Sequence, residues 1–201
     1  MAKLPYSFYQ QEDVVSLAIQ LLGKQLFTRI DGKVTSGIIV ETEAYNGITD
    51  KASHAYGNRF TPRTATMYET GGLTYVYLCY GIHHLLNVVT GIKDNPQAVL
   101  IRGIEPLEGL ETMLERRNML HLAPRITAGP GSVAKALGID KALNAKDLLG
   151  DEIWIEDNMI KTQPELIVSS PRVGVDYSED HALLPWRFYM KGNKYVSKPN
   201  S

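Results

Sequence analysis

Cysteine is nearly absent from this sequence, since Cys79 is the single one among 201 residues. One cysteine cannot form a disulfide within the chain, and it cannot supply the ligand set of a cysteine-based zinc site. This pattern favours a reducing compartment. Because Cys79 lies within an apolar, strand-like stretch, we interpret it as a buried thiol, with a nucleophile as the remote alternative.

Long hydrophobic runs, a basic-then-apolar leader and a large net charge are also missing. The first two absences argue against a membrane span and a signal peptide, so we expect a soluble, intracellular protein without a membrane partner. A net charge of -1 argues against a uniformly basic nucleic-acid binder. Basic residues nevertheless cluster locally, and one basic face is enough to bind nucleic acid. The clusters are Arg59 with Arg63, Arg116 with Arg117, and Lys191 with Lys194 and Lys198.

The composition is otherwise that of a globular protein. Hydrophobic residues make up 44% of the chain, which is enough for a substantial core. The length suits one domain, and the sequence shows neither an internal repeat nor a break in composition. We therefore predict a single domain that covers residues 1–201.

The pattern of residues 38–45 predicts a strand. Its first residues are apolar, and two acids, Glu41 and Glu43, follow. Side chains alternate along a strand, so Ile39, Glu41, Glu43 and Tyr45 are predicted to share one face. Acids on a solvated sheet edge are the ordinary explanation of such a pattern. The alternative is a strand that ends in a functional site.

The residues that follow favour the functional alternative. Residues 47–72 contain many turn-forming residues and little periodicity, and long loops in compact domains are usually functional or disordered. His54 lies in this loop, and the most aromatic stretch, residues 75–81, comes next. A carboxylate that acts as a general base beside several flat side chains suits hydrolysis on a planar heterocyclic substrate.

Local patterns predict the remaining elements. Asp31 and Gly32 indicate a tight hairpin turn, and Tyr80 and Gly81 indicate the bend of a second hairpin over residues 73–89. Residues 129–138 predict a helix that follows a glycine-rich turn. This turn is interpreted either as an ordinary helix start or as an anion-binding site. The other predicted helices cover 12–22, the segment from Pro106 to Arg117, and 144–149; the other predicted strands cover 26–30, 33–40, 98–103, 152–156, 165–170, 172–175, 184–190 and 194–197.

Several motifs, in order along nearly the whole chain, resemble the alkyladenine (3-methyladenine) DNA glycosylase family, the eukaryotic-type enzymes that also occur in bacteria. They are the segment 39–45, His54, residues 61–63, 75–77, Tyr80 with Gly81, Asn87, 100–102, 105–113, 172–175 and 187–189. The resemblance implies an α+β fold in one compact domain. Its sheet should be mostly antiparallel, a curved sheet or open barrel, with helices outside and a protruding DNA-binding hairpin.

The resemblance also implies catalytic roles. Glu43 matches the general base that deprotonates the attacking water. Arg102 and the backbone of Val173 match groups that position this water. The reaction implied is hydrolysis alone, without a metal or another cofactor.

Other residues match the family's DNA-recognition groups. Tyr45, His54 and Tyr77 match the walls of the pocket for the damaged base, and Asn87 matches the residue that discriminates against the exocyclic amine of guanine. Tyr80 matches the side chain that enters the duplex and fills the gap left by the extruded nucleotide. The candidates for contacts with the DNA backbone are Arg59, Thr61, Arg63 and Met67.

The implied function is that of a monofunctional DNA glycosylase, which starts base excision repair. It would flip alkylated or deaminated purines of the 3-methyladenine, hypoxanthine or ethenoadenine type out of duplex DNA and hydrolyse the N-glycosidic bond. The expected partner is double-stranded DNA containing damaged purines. We expect a monomer in the bacterial cytoplasm, associated with the nucleoid through DNA.

Two other functions compete with this interpretation. A glycoside hydrolase would use Glu41 and Glu43 as an acid pair, although such pairs are about 5–9.5 Å apart and usually come from different elements. An inert nucleic-acid-binding module would use Tyr77 and Tyr80 to stack on bases, which leaves Glu43 without a purpose. The sequence leaves the role of Glu41 open, with a basic side chain as its expected partner.

Overall fold

The computed structural model describes residues 2–158 and 162–198 of the chain. Within these two ranges the chain forms nine strands and four α-helices, joined by loops and single 3-10 turns. The strands are β1 (Ala2–Lys3), β2 (Gln25–Ile30), β3 (Lys33–Tyr45), β4 (Thr74–Cys79), β5 (His83–Thr90), β6 (Gln97–Glu108), β7 (Ile153–Asp157), β8 (Ile167–Ser170) and β9 (Arg187–Met190). The helices are α1 (Tyr6–Tyr9), α2 (Val14–Gln20), α3 (Leu110–Arg116) and α4 (Pro130–Leu137).

The strands form one antiparallel sheet in the order β1-β7-β2-β3-β6-β5-β4, and β9 joins β3 to β8 outside this path. The sheet curls into a half-barrel with the helices packed against it. The predicted α+β class with a curved antiparallel sheet is therefore confirmed. The assignment of the whole range 1–201 to a single domain stays a prediction.

Strand β3 occupies the middle of the sheet. Its first half pairs with β2, its second half pairs with β9 from Glu41 to Glu43, and β6 runs along its other side. The pairing with β6 shifts register around Glu41, which marks an irregularity in the ladder. Both acids consequently lie inside the sheet, and a solvated sheet edge is the wrong explanation for them.

The main hydrophobic core lies between the sheet and the helices α2, α3 and α4. Helix α2 begins where the carboxylate of Asp13 accepts hydrogen bonds from the N-H groups of Val15 and Ser16, at 3.1 and 3.0 Å. Such an N-cap satisfies donors that have no partner within the helix. Helix residue Leu17 and strand residue Ile104 are both completely buried in this core.

A second, smaller cluster lies under the loop of residues 47–72. Its buried members are Ala55, Met67, Tyr68, Tyr75, Val89 and Ala98. The loop is therefore packed against the sheet through its own side chains, in a series of 3-10 turns. This packing is what allows a segment without regular helices or strands to hold side chains in fixed positions.

Both predicted hairpin turns are confirmed. Asp31 and Gly32 have φ angles of 52° and 73°, and Tyr80 and Gly81 have φ angles of 48° and 72°. Two successive positive φ angles are typical of turns whose twist matches that of the flanking strands. In the second hairpin this conformation places Tyr80 at the tip.

The predicted helix start at Pro106 is wrong. Strand β6 continues through Pro106, which pairs with Gly37 beside a register shift in β3, and proline in a sheet is tolerated at such bulges. Helix α3 begins only at Leu110, after Gly109. Gly109 has a φ of 71°, and a Cβ atom there would lie 2.4 Å from the carbonyl oxygen of Val34, so the close approach to β3 requires glycine.

Three other predicted elements are also wrong. Residues 144–149 form no helix, because Ala145 and Lys146 donate their backbone N-H groups to Thr74 at the edge of the sheet. Residues 172–175 and 194–197 form no strands. In strand β8, regular pairing begins at Ile167, later than predicted. Across the described part of the chain, no helix has the length and apolar character needed to cross a bilayer.

Candidate active site

A cavity of about 770 Å³ opens at the end of the sheet where β3, β4, β5 and β6 meet the loop of residues 47–72. Its volume falls within the range of ordinary small-molecule sites. Nine of the predicted site residues line it: Tyr45, His54, Arg63, Met67, Tyr77, Tyr80, Asn87, Arg102 and Val173. The structure therefore brings together residues that are up to 128 positions apart in the sequence.

Glu43 lies directly behind the wall of this cavity, with no exposed surface. The backbone N-H of Val173 donates to its Oε1 at 2.8 Å, and the hydroxyl of Tyr45 donates to its Oε2 at 2.9 Å. The Nη1 of Arg102 lies 3.3 Å from Oε1. All three partners line the cavity, so the carboxylate lies next to wall groups that face the open space.

The negative charge of Glu43 helps to keep two of its hydrogen-bond partners, Tyr45 and Arg102, protonated. Burial and the nearby charge of Glu43 raise the pKa of Tyr45 well above its ordinary value, so its hydroxyl remains a donor. Burial disfavours the charge of Arg102, but Glu43 and Glu41 outweigh this effect and raise the pKa of its guanidinium. The site is therefore a carboxylate surrounded by hydrogen-bond donors.

The aromatic walls of the cavity come from two segments. The ring of His54 lies 4.6 Å from that of Tyr77, edge to face, and Tyr75 lies 5.4 Å from Tyr77 on the same strand. Alternation along β4 predicts that Tyr75 and Tyr77 share a face, and their ring contact agrees. Tyr45 reaches the same cavity from β3.

His54 is a neutral side chain in this environment. Burial, with the positive charges of Arg63 and Arg59 as further causes, lowers the pKa of His54 from 6.5 to about 4. Its Nδ1 lies 2.9 Å from the hydroxyl of Tyr75, and its Nε2 lies 3.4 Å from the guanidinium of Arg63. Because arginine only donates, Nε2 is the acceptor and Nδ1 carries the proton.

Asn87 lies on β5 with only 4% of its surface exposed. Its amide nitrogen donates to the carbonyl oxygen of Tyr75 at 3.1 Å, which fixes the orientation of the side chain at the cavity wall. A buried amide of this kind is either structural or selects what binds beside it.

Tyr80 has the largest exposed fraction among the tyrosines that line the cavity, 89% against 67% for Tyr177. It lies at the tip of the hairpin formed by β4 and β5, with the exposed apolar residues Leu78 and Ile82 beside it. An exposed aromatic ring at a rigid turn is what a side chain inserted between base pairs requires.

Known proteins resemble this chain over nearly its whole length. A family model described as methylpurine-DNA glycosylase (MPG) matches residues 7–194. The chain belongs to the methylpurine-DNA glycosylase family. It is accordingly a DNA glycosylase, a hydrolase that acts on N-glycosyl bonds in the repair of damaged DNA.

Bacterial relatives of this glycosylase match over almost their full length. Proteins provisionally named 3-methyladenine DNA glycosylase from Chlamydia felis and Desulfitobacterium hafniense are 46% and 44% identical to it. The matches cover 95% and 98% of this chain and 97% and 99% of the relatives. A protein with the same provisional name from Clostridium acetobutylicum is 46% identical over 202 residues, or 97% of each chain.

The four candidates for DNA-backbone contacts occupy different environments in the glycosylase. Arg59 and Arg63 are exposed, and Thr61 is partly buried. Arg63 lies at the mouth of the cavity, with its guanidinium 4.9 Å from the ring centre of Tyr77. Met67 is buried in the cluster under the loop and faces the cavity, so it lies among the wall residues and away from the outer surface.

A second buried ion pair, which was not predicted from the sequence, lies beside the site. The guanidinium of Arg172 binds the carboxylate of Asp50, with one contact of 2.9 Å, and lies 4.9 Å from the ring of Tyr45 and 5.1 Å from that of Trp186. Arg172 directly precedes Val173 and thereby helps to hold the N-H that binds Glu43. Asp50 and Arg172 are 122 positions apart, so no local pattern signals their pairing.

The lowered pKa of His54 predicts a pH dependence. In an NMR titration, the His54 ring should titrate near pH 4, and Arg63→Met should raise this midpoint because it removes a neighbouring positive charge. The folded protein takes up this proton less readily than the unfolded chain. The contribution of neutral His54 to the free energy of unfolding should therefore be fully present above about pH 6.5 and should be lost as the pH falls toward 4. His54→Gln should remove this contribution. A midpoint of 6.5 in the wild type would contradict the buried, neutral histidine.

Proposed function

We propose that this glycosylase removes alkylated or deaminated purines, of the 3-methyladenine, hypoxanthine and ethenoadenine type, from duplex DNA by base flipping and hydrolysis. The observation that carries the proposal is the position of Glu43, which is held by three donors directly behind the wall of an aromatic cavity. We infer further that the protein acts as a monomer on the nucleoid of a bacterial cytoplasm, in keeping with its bacterial relatives.

Recognition of the damaged base would rest on the aromatic walls. A flipped purine would bind among Tyr45, His54 and Tyr77, and stacking contributes roughly 1–3 kcal/mol per base. An alkylated purine carries positive charge or an electron-poor ring, which aromatic faces attract more strongly than a normal base. The neutral state of His54 supports this role, because a protonated imidazole would repel a cationic base.

Hydrolysis would begin with a water molecule activated by Glu43. Oε1 accepts from Val173 and faces Arg102, and Oε2 accepts from Tyr45. A carboxylate has about four lone-pair sites, so one acceptor site remains for water. The water oxygen would attack the anomeric carbon and pass a proton to Glu43, while the electrons of the carbon–nitrogen bond leave with the base. A cationic alkylated purine leaves as a neutral base in this way, whereas a base that is neutral in the DNA would leave as an anion and take up a proton from solvent. An abasic site would remain in the DNA strand.

The charge of Glu43 would contribute beyond proton transfer. Cleavage of a glycosidic bond places positive charge on the sugar, and a nearby carboxylate stabilises it. Arg102 and Val173 hold the carboxylate in one orientation, so little reorganisation is needed during the reaction. Asn87, fixed by its bond to Tyr75, would exclude the exocyclic amine of guanine from the wall beside it.

Contacts with the duplex would come from the rim of the cavity. Tyr80 would fill the gap left by the flipped nucleotide, and Arg59, Thr61 and Arg63 would bind phosphates nearby. The exposure of Tyr80 and of both arginines supports this assignment. The buried position of Met67 favours a supporting role in the wall over a phosphate contact.

A glycoside hydrolase with Glu41 and Glu43 as its acid pair is disfavoured. Glu41 is completely buried and is not among the residues that line the cavity. Its oxygens accept hydrogen bonds from Arg102, Arg187 and Ser197, so it does not flank a substrate bond. An inert binding module is likewise disfavoured, because the chain is a DNA glycosylase by family.

The proposal predicts the effect of Glu43→Gln, which keeps the shape of the side chain and removes the base. The rate of base release from duplex oligonucleotides containing 3-methyladenine, hypoxanthine or ethenoadenine should fall by about 10²–10⁴-fold, the usual contribution of a general base. Binding of the damaged duplex should persist. The measurement is single-turnover release of base, together with binding of the same duplex.

The exposed Glu111 provides the matched control, since Glu111→Gln makes the same chemical change outside the cavity. This control should release base at the wild-type rate. Wild-type activity in Glu43→Gln would refute the role of Glu43.

The exposed Lys198 lines the cavity mouth, so borohydride should also be added during turnover. A trapped covalent complex would contradict hydrolysis without strand cleavage.

A second prediction concerns Tyr80→Ala. Its loss should weaken binding and slow base release on fully paired damaged duplex by roughly 10-fold or more, because a stacked side chain contributes on the order of 1–3 kcal/mol. Single-stranded substrate needs no such filling of the duplex and should be affected much less. Leu120→Ala, at a residue 91% exposed and outside the cavity lining, is the control. Equal effects on duplex and single strand would rule out the wedge.

A further inference from the structure

Glu41 is a buried acid that the proposed reaction does not use. Its Oε1 accepts from the Nε of Arg102 at 3.0 Å, the Nε of Arg187 at 2.7 Å and the hydroxyl of Ser197 at 2.7 Å. Its Oε2 accepts from the backbone N-H of Ser197 at 2.7 Å. Moving a carboxylate out of water has a large free-energy cost. A fully buried acid with this many hydrogen-bond partners therefore needs a structural or functional role to account for its presence.

Arg102 connects Glu41 to Glu43. Its Nε contacts Glu41 at 3.0 Å, its Nη2 donates to the hydroxyl of Ser197 at 3.2 Å, and its Nη1 faces Glu43 at 3.3 Å. A guanidinium group is rigid and planar. Once Glu41 and Ser197 hold two of its nitrogens, the position of the third nitrogen beside Glu43 is fixed.

The segment that carries Ser197 reaches Glu41 by a close approach to strand β6. A Cβ atom at Gly103 would lie 2.8 Å from the carbonyl oxygen of Tyr195 and 3.2 Å from the Cβ of Glu41. Only glycine leaves room for the segment to pass. The carbonyl oxygen of Ser197 then accepts from the Nη2 of Arg187 at 2.8 Å, which holds the segment in place.

We propose that Glu41 and Ser197 are positioning residues, which hold the guanidinium of Arg102 at the cavity wall so that Glu43 keeps one acceptor site free for water. This inference rests on the proposed function and adds two residues to it. Arg102 lies between two carboxylates and binds Glu41 at the shorter distance. If Glu41 loses its charge, Arg102 is attracted by Glu43 alone and should move onto the acceptor site that water needs.

The test uses Glu41→Gln, which is nearly isosteric. Single-turnover base release should fall by about 10–100-fold, since small misplacements of catalytic groups produce losses of this order. Affinity for duplex DNA containing a non-cleavable abasic-site analogue should stay at the wild-type level, because Glu41 does not line the cavity. Glu152→Gln, at an exposed acid paired with Lys146, is the control and should change neither quantity.

Ser197 offers a second and milder test. Ser197→Ala removes the hydroxyl that bonds both Glu41 and Arg102, so the release rate should fall. Ser197→Thr keeps the hydroxyl and should restore the rate. A role limited to chain packing does not depend on the hydroxyl in this way.

A double-mutant cycle separates positioning from stability. In the background of Arg102→Lys, which lacks the planar fork, Glu41→Gln should slow base release far less than it does in the wild type. Two residues that act through one group show such non-additive effects. Additive losses would show that Glu41 acts independently of Arg102 and would overturn the inference.

The outcomes also separate this inference from the proposed function. A wild-type protein that releases no damaged base would defeat the proposed function itself. An active wild type together with a wild-type rate in folded Glu41→Gln would defeat the positioning role alone. If Glu41→Gln does not fold, the serine variants decide, and equal rates in the wild type and Ser197→Ala would overturn the inference.

Discussion

The structure depends on how two carboxylates are accommodated in the middle of a β-sheet. Glu41 and Glu43 lie on β3 between β6 and β9, and neither has exposed surface. Burying an unpaired charge there would destabilise the fold strongly. Arg102, on the neighbouring strand β6, compensates both negative charges. Its guanidinium lies 3.0 Å from Glu41 and 3.3 Å from Glu43. The same contacts that make the fold possible also orient Glu43 toward the cavity.

The rest of the site is arranged around this charged centre. Tyr45 uses its hydroxyl to hold Glu43 and its ring to line the cavity, so one side chain joins the proposed catalytic and recognition parts. Arg172 supports both parts, because it stacks on Tyr45 and precedes Val173. The loop of residues 47–72 adds the neutral His54 from the opposite side. Residues from distant parts of the chain thus converge on one cavity.

Local sequence patterns predicted the features that depend on neighbouring residues. Turn residues predicted both hairpins, and strand alternation predicted the shared face of Tyr75 and Tyr77. The resemblance to a family supplied the site residues. The fold brings nine of them to one cavity, and Met67 is among these, in its buried wall. Patterns failed where tertiary contacts overrode them, as at Pro106, where pairing with β3 extends the strand. Likewise, backbone bonds to Thr74 replace the helix predicted at residues 144–149.

Hydrogen-bonded pairs that are distant along the chain could not be predicted from the sequence, for a physical reason. The bonds between Glu41 and Ser197 and between Asp50 and Arg172 join residues more than 120 positions apart. Neither serine nor aspartate shows any local pattern that identifies such a partner. Only the curl of the sheet and the room left by Gly103 bring the last residues of the described chain beside β3.

A crystal structure of the Glu43→Gln variant bound to duplex DNA that contains an ethenoadenine nucleotide tests the role of Glu43 most directly. We expect an everted base between Tyr45 and Tyr77, with Tyr80 in the duplex and the anomeric carbon of the sugar facing the side chain at position 43. A base that remains stacked in the duplex, or a sugar that faces away from this side chain, would contradict this role.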